Sequence, residues 1–234
     1  EDAAEDTEWD SEIGFDSLAE IEENFAFHFV STQNERRSDE FNYSWTLVDG
    51  AVQRVGNIDA YSDTVNIAIM TYTGNVYSDF ELSVDVRCGT STSYWPVIGI
   101  RQQIPGKYYT TEGGGTGVFM QQNGKITLWG PISGGIVEKD IPDIDSYYPS
   151  VWHNIRILAV GTVLTVFVDG KEVLSSSVLS TDYVKGYISL QSVNNDCSFD
   201  NFKIRDLSSA TEISNEENRY ERADEGIPLD DLIK

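Results

Sequence analysis

The chain has 234 residues, 40% of them apolar and 12% aromatic, and a formal charge of −23. That length supports one sizeable core. The acidic balance argues against nucleic acid and anionic membrane as partners, and no apolar run approaches the roughly 20 residues that span a bilayer.

The charge is concentrated at the ends. Residues 1–24 hold eleven acids and no base, and residues 208–234 hold eight acids against three bases. Both ends read as solubilising tails around a more ordinary middle. Residues 1–40 are expected to be an acidic N-terminal extension, in which "SLAEIEENFAFHF" makes a short helix of one or two turns before the first strand. The chain begins at Glu1 without methionine, which is expected of a mature or trimmed fragment whose signal peptide is gone.

From residue 45 onward the period is two. "FELSVDVRC" (80–88) sends Phe80, Leu82, Val84, Val86 and Cys88 inward, and Glu81, Ser83, Asp85 and Arg87 outward. "WPVIGIRQ" (95–102) puts Ile98 and Ile100 on one face, and Trp95, Gly99 and Arg101 on the other. A guanidinium thus stands beside a gap on an exposed face. "GVFMQQ", "KITLWG", "WHNIRILAV", "TVLTVFVDG", "GYISLQS" and "CSFDNFKIRD" read as further strands. "PGK" (105–107), "QNGK" (122–125) and "VDGK" (168–171) supply turns, the last two of tight-hairpin type. About a dozen short strands of this kind make an all-β sandwich. Trp45 and Trp152, at strand starts, are expected in the core.

Cys88 and Cys197 fit no metal spacing; one disulfide and two buried thiols both remain open. His28 and His153 are the only histidines, so zinc is disfavoured and no Ser-His-Asp or Cys-His set forms. "EGGGTG" (112–117) lacks the Lys-Ser/Thr of a phosphate loop and reads as a close turn.

"WTLVDGAVQR" (45–54), "YSDFELSVDVR" (77–87), "WPVIGIR" followed by "GKYYT", "WHNIRI" (152–157), "LTVFVDGKEV" (164–173) and "GYISLQS…SFDNFKI" (186–204) come in an order that resembles the concanavalin A-like lectin/glucanase superfamily. Within it the chain is similar to family 66 carbohydrate-binding modules, to 3-keto-disaccharide hydrolase-type domains and to laminin-G-like lectin domains. The resemblance covers roughly 41–207 and implies a two-sheet antiparallel jelly roll there, with 208–234 as an acidic tail or linker. The E-x-D-x-x-E pattern of family 16 glycoside hydrolases is not found.

In this superfamily the concave outer face of one sheet binds sugar. The resemblance therefore points to Arg101, Asp85, Trp95, Tyr109, Glu112, Gln121 and Trp129 as carbohydrate-binding residues. Rings would stack on sugar faces, while arginine, carboxylate and amide groups fix hydroxyls. Arg101 matches best; Asp85 and Glu112 match by approximate place. The competing reading makes Arg101 structural, paired with Asp85 on a neighbouring strand. Asp200, in "SFDNF", matches a strand aspartate that binds structural Ca2+ in relatives, with Asp49, Gly50 and an acid, Glu40 or Asp39, completing the oxygen set. Otherwise Asp200 caps backbone amides.

The expected function is a non-catalytic carbohydrate-binding module within a larger secreted or cell-surface protein of bacterial origin. Its partner is a poly- or oligosaccharide, and it is tethered to a glycosidase or an anchor. One alternative is a hydrolase of the 3-keto-disaccharide type, using Asp85, Glu112 or Glu138 as acid or base. The other is a structural or adhesive surface domain.

Overall fold

The computed structural model describes residues 8–31, 37–38, 40–54, 66–88, 96–109, 112–121, 123–144, 151–193 and 197–208. Along these residues the chain runs β1 (Ser11–Ile13), α1 (Leu18–Asn24), β2 (Phe25–Ser31), β3 (Arg37–Ser38), α2 (Phe41–Ser44), β4 (Trp45–Val48), β5 (Ala51–Arg54), β6 (Asn66–Tyr72), β7 (Phe80–Arg87) and β8 (Pro96–Gln102). It continues through β9 (Thr116–Gln121), β10 (Lys125–Trp129), β11 (Val137–Asp140), β12 (Trp152–Val160), β13 (Val163–Val168), β14 (Lys171–Ser177), β15 (Tyr187–Val193) and β16 (Ser198–Asp206).

The strands pair antiparallel into two sheets. Sheet A has the order β14-β13-β12-β7-β16-β5-β4, with β1 added beside β16; sheet B has the order β11-β10-β9-β8-β15-β6-β2-β3. This is the all-β sandwich that the alternation implies, in the jelly-roll form that the resemblance implies. The inward residues of β7, Phe80, Leu82, Val84 and Val86, are fully buried in one cluster with Ile98 and Ile100 of β8, Val118 of β9 and Leu190 of β15. The Asp169-Gly170 hairpin forms as read, and Asp49-Gly50 makes another. Asp169 and Gly170 have φ of 49° and 77°, and Asp49 and Gly50 have 51° and 77°. These left-handed pairs match the twist of the strands they join.

The N-terminal reading needs correction. The short helix exists, with the Ser17 side chain accepting the Glu20 N–H at 3.2 Å. The segment around it, however, belongs to the sandwich. β1 places Ile13 opposite Phe202 of β16, and β2 pairs with β6 along its whole length. Phe15, Ile21, Phe25 and Phe27 are core residues, and the Phe25 ring meets those of Phe15, Tyr72 and Phe202. A three-residue strand among acids has too little alternation to be seen in sequence. Residues 1–7 and the tail from 209 lie outside the described residues.

Trp45 is buried as expected, but Trp152 is not. It is 37% exposed and lies under the Arg87 guanidinium, 4.7 Å from its ring centre. Its parity is that of Asn154 and Arg156, so it faces outward with them. Cys88 and Cys197 are both buried thiols.

Candidate functional site

Sheet B presents an ordered outer face. Its pairing aligns Thr71, Ser189, Gly99, Gly117 and Trp129 in one rung, and His28, Ile69, Gln191, Val97, Phe119 and Thr127 in the next. Two glycines therefore sit side by side, and the gap beside them is real. It is filled by the chain itself. A side chain at Gly99 would collide with Ser189 Oγ and Gln191 Nε2, which are hydrogen-bonded to each other at 2.9 Å. A side chain at Gly117 would meet Tyr109 at 3.1 Å.

Tyr109 belongs to the connection between β8 and β9, which folds back over this face. Gly106 packs on the His28 ring, and its N–H donates to Thr71 Oγ1 at 3.3 Å. Gln102 Nε2 donates to the Lys107 carbonyl, and the Gln103 N–H to the Gly113 carbonyl at 2.8 Å. Tyr108 and Tyr109 then cover a second apolar cluster of Ile67, Ile69, Val97, Phe119 and Val193. The Tyr109 ring meets Phe119 edge-on at 4.6 Å and lies 5.9 Å from Trp129. Trp129 ends β10 and is 40% exposed, so two adjoining rings form a ledge at this end of the sheet. The same connection walls a cleft of about 460 Å³, lined by Gln103, Ile104, Lys107, Glu112, Gly113 and Tyr183. An ammonium, a carboxylate, an amide and a phenol converging on such a volume suit a small polar ligand.

Arg101 is elsewhere. The pairing of β8 with β15 slips between Tyr187 and Ser189, and Arg101 takes a left-handed φ of 52°. That bulge turns its side chain away from the outer face. Gly186 makes the bulge feasible, because any side chain there would strike the Arg101 backbone. Arg101 is 2% exposed. Its Nη2 donates to the Ser78 carbonyl at 2.7 Å and to the Gly161 carbonyl at 2.8 Å, and Nε donates to Ser78 at 3.2 Å. Asp79 stands 3.6 Å from Nη2 and accepts the Gly161 N–H at 2.8 Å. Burial lowers the guanidinium pKa, and Asp79 opposes that shift. Arg101 therefore ties the end of β8 to the segment before β7 and the β12–β13 turn. It joins the sheets instead of facing a ligand.

Asp85 also needs correction. It was expected on the same face as Arg101, but β7 lies in sheet A. There Asp85 accepts Nδ2 donors from Asn154 and Asn201, both at 2.8 Å. Gln121 is on the outer face of sheet B but buried, donating to Thr127 Oγ1 at 2.7 Å. Tyr109 and Trp129 come together, and Glu112 joins the cleft. Trp95 lies outside the described residues. Sequence reasoning missed Gln103, Lys107 and Tyr183, whose loop positions carry no periodic signal.

For calcium, the structure brings Asp16 near the Gly50 turn, its Oδ1 3.8 Å from where a Gly50 Cβ would stand. Burial raises the Asp200 pKa; the Asn201 N–H lowers it, and the Asp85 and Asp16 carboxylates raise it further. Glu40, exposed, instead heads α2, and Asp49 is exposed in its turn. Among the described residues no three His, Cys, Asp or Glu side chains converge as a metal cluster. The Asp16 and Asp200 carboxylates are near enough to act on each other, and Asp16 stands beside the Gly50 turn.

The model of the 3-keto-alpha-glucoside-1,2-lyase-like domain matches residues 29–205. The chain belongs to this family. A search of curated proteins finds no match. Among solved structures, a galectin-like-fold protein of unknown function from Bacillus subtilis superposes with a TM-score of 0.58 at 8% identity, over 85% of this chain and 96% of that one. A GlcNAcα1-4Gal-releasing endo-β-galactosidase from Clostridium perfringens gives 0.57 at 10% identity, over 84% of this chain and 62% of that one. The CBM66 carbohydrate-binding module from Bacillus subtilis gives 0.45 at 11% identity, over 69% and 95%, a superposition too loose to carry weight. The first two likenesses establish the shared fold. In this lyase-like domain the three carboxylates considered for acid–base work are dispersed. Asp85 is on sheet A, Glu112 is in the cleft, and Glu138 is on the edge strand β11, 3.6 Å from Lys125.

Proposed function

We propose that the domain binds carbohydrate on the Tyr109–Trp129 ledge and acts as a non-catalytic module of a larger secreted or cell-surface protein. The observation that carries this reading is the ledge itself. An exposed tryptophan continues a tyrosine that is fixed in a glycine notch, so stacking area is held in place before ligand arrives. Lys107, Glu112 and Gln103 offer charged and amide groups for hydroxyls. A soluble poly- or oligosaccharide is the partner, at micromolar to millimolar affinity, roughly −4 to −8 kcal/mol. Isothermal titration with glycans chosen from an array tests it. Trp129→Ala should weaken binding about tenfold, near 1.4 kcal/mol, with an unchanged melting temperature. Equal affinity in wild type and variant, or no glycan bound by either, overturns the reading.

Family membership favours a catalytic second reading, cleavage of a 3-keto-glucoside. A ketone at C3 acidifies the C2 proton, so removal of that proton can expel the C1 substituent. Release of the aglycone from such a substrate by the purified chain would replace the binding-only reading.

A structural calcium would sit on Asp200 and the Gly50 turn, with Asp16 taking the place expected for Asp49 and Glu40. Binding to the folded state alone raises stability by mass action. A chelator should lower the melting temperature by several degrees in wild type and leave Asp200→Asn unmoved; no change in wild type removes the ion from the proposal.

A further inference from the structure

The two buried thiols flank one end of the ladder between β7 and β16. β7 and β16 pair with Ser198 opposite Arg87, Phe199 opposite Val86 and Asp200 opposite Asp85. The same register carried one step further would set Cys197 opposite Cys88. β16 is still in register with its other neighbour at that point, since the Arg54 N–H donates to the Cys197 carbonyl at 2.9 Å. Parity puts both sulfurs on the inner face. Phe199 and Val86, the preceding inward pair, are core residues, as are both cysteines. The outward pair between them confirms the phase, because Arg87 Nη2 donates to Ser198 Oγ at 3.1 Å. Directly opposed residues of an antiparallel pair have Cα atoms about 4.5 or 5.5 Å apart, according to the rung. Both separations fall inside the roughly 4.4–6.8 Å window of disulfides.

We infer that Cys88 and Cys197 form a cross-strand disulfide when the chain folds in an oxidising environment. Folding is the moment for it. In the finished sandwich burial pushes the Cys88 thiol up to about 12, so little thiolate exists there at neutral pH. While the strands are still pairing, both thiols meet solvent. The oxidant is a small-molecule disulfide such as oxidised glutathione. One cysteine thiolate attacks it, forming a mixed disulfide and expelling one glutathione thiolate. The second cysteine thiolate attacks the protein sulfur of that mixed disulfide and expels the other. Two protein S–H bonds are lost, one S–S bond forms, and two electrons and two protons end on two glutathione molecules. The bond joins the middle of sheet A to its last-made strand and shrinks the unfolded ensemble.

The full chain is refolded in parallel in a glutathione redox buffer and in excess reductant, and then denatured under acid for intact mass and thiol titration. The redox-buffer sample should be lighter by about 2 Da and show no titratable thiol, and should melt about 5 °C or more above the reduced one. Cys88→Ser and Cys197→Ser should each retain one titratable thiol or carry one glutathione, with the melting temperature of the reduced protein. Two titratable thiols, two glutathione adducts or disulfide-linked dimers from wild type would each overturn the assignment.

Discussion

The outer face of sheet A is occupied by charges that meet charges and rings. The outer face of sheet B is occupied by apolar and amide side chains that meet the chain's own loop. On sheet A, Glu81 is buried between two arginines, accepting Arg156 Nε at 2.6 Å and Arg205 Nε at 2.7 Å. Arg156 lies over Phe167 and Arg205 over Trp9. The strands there alternate buried and half-buried, as β12 does along its length. On sheet B every residue of β6, β8 and β9 is buried on both sides. An antiparallel sheet needs one wet face only where water is what covers it. When a loop covers it instead, the outward positions lose their charges and the exposed groups migrate to the edge of the cover, where Trp129 stands.

The contrast can be broken in order of expected effect. Arg101→Met should cost the most, about 3 kcal/mol in a denaturant titration, because the Ser78 and Gly161 carbonyls lose a buried donor. A variant of wild-type stability that has lost glycan affinity would return Arg101 to the ligand face. Glu81→Gln should follow, at about 2 kcal/mol, since two arginines then converge on a neutral amide; part of their charge is solvated, which keeps the loss below that of a sealed pair. Tyr109→Ala should lose about 1.5 kcal/mol of stability and glycan binding together, because one ring both fills the Gly117 notch and forms the ledge; loss of only one property would separate cover from site. Asp85→Asn should be mildest, under about 1 kcal/mol, with glycan affinity untouched, and a drop in affinity would place a sugar on sheet A.

Much of the sandwich was legible because its cause is local. Alternation in "FELSVDVRC" requires a strand with one buried face, and the Asp-Gly pairs require left-handed turns. Alternation says which residues leave the core; it cannot say which sheet they leave from. β7 and β8 are consecutive yet lie in opposite sheets, so Asp85 was assigned to the wrong sheet. Arg101 was hidden by a one-residue bulge, a register event set by β15 and Gly186 more than 80 positions away. Trp152 was legible and misread: its parity with Asn154 and Arg156 in "WHNIRILAV" already pointed outward. The ledge was half legible, since Trp129 and Tyr109 were singled out, but their meeting depends on a loop whose path no periodicity encodes.

The partners of β7 carry a consequence for synthesis. β7 is complete at residue 87, whereas its neighbours β12 and β16 begin at residues 152 and 198. A ribosome that has made β7 but not yet β12 therefore displays a finished apolar strand with both edges open. Pairings this distant in sequence are slow to close, and an unpaired apolar edge recruits other chains while it waits. β16 ends that interval, since it pairs with β7, β5 and β1 at once. A nascent chain stalled before residue 198 should be held by a chaperone and cut readily by protease, and release of the last strand should convert it to a resistant form in a single step.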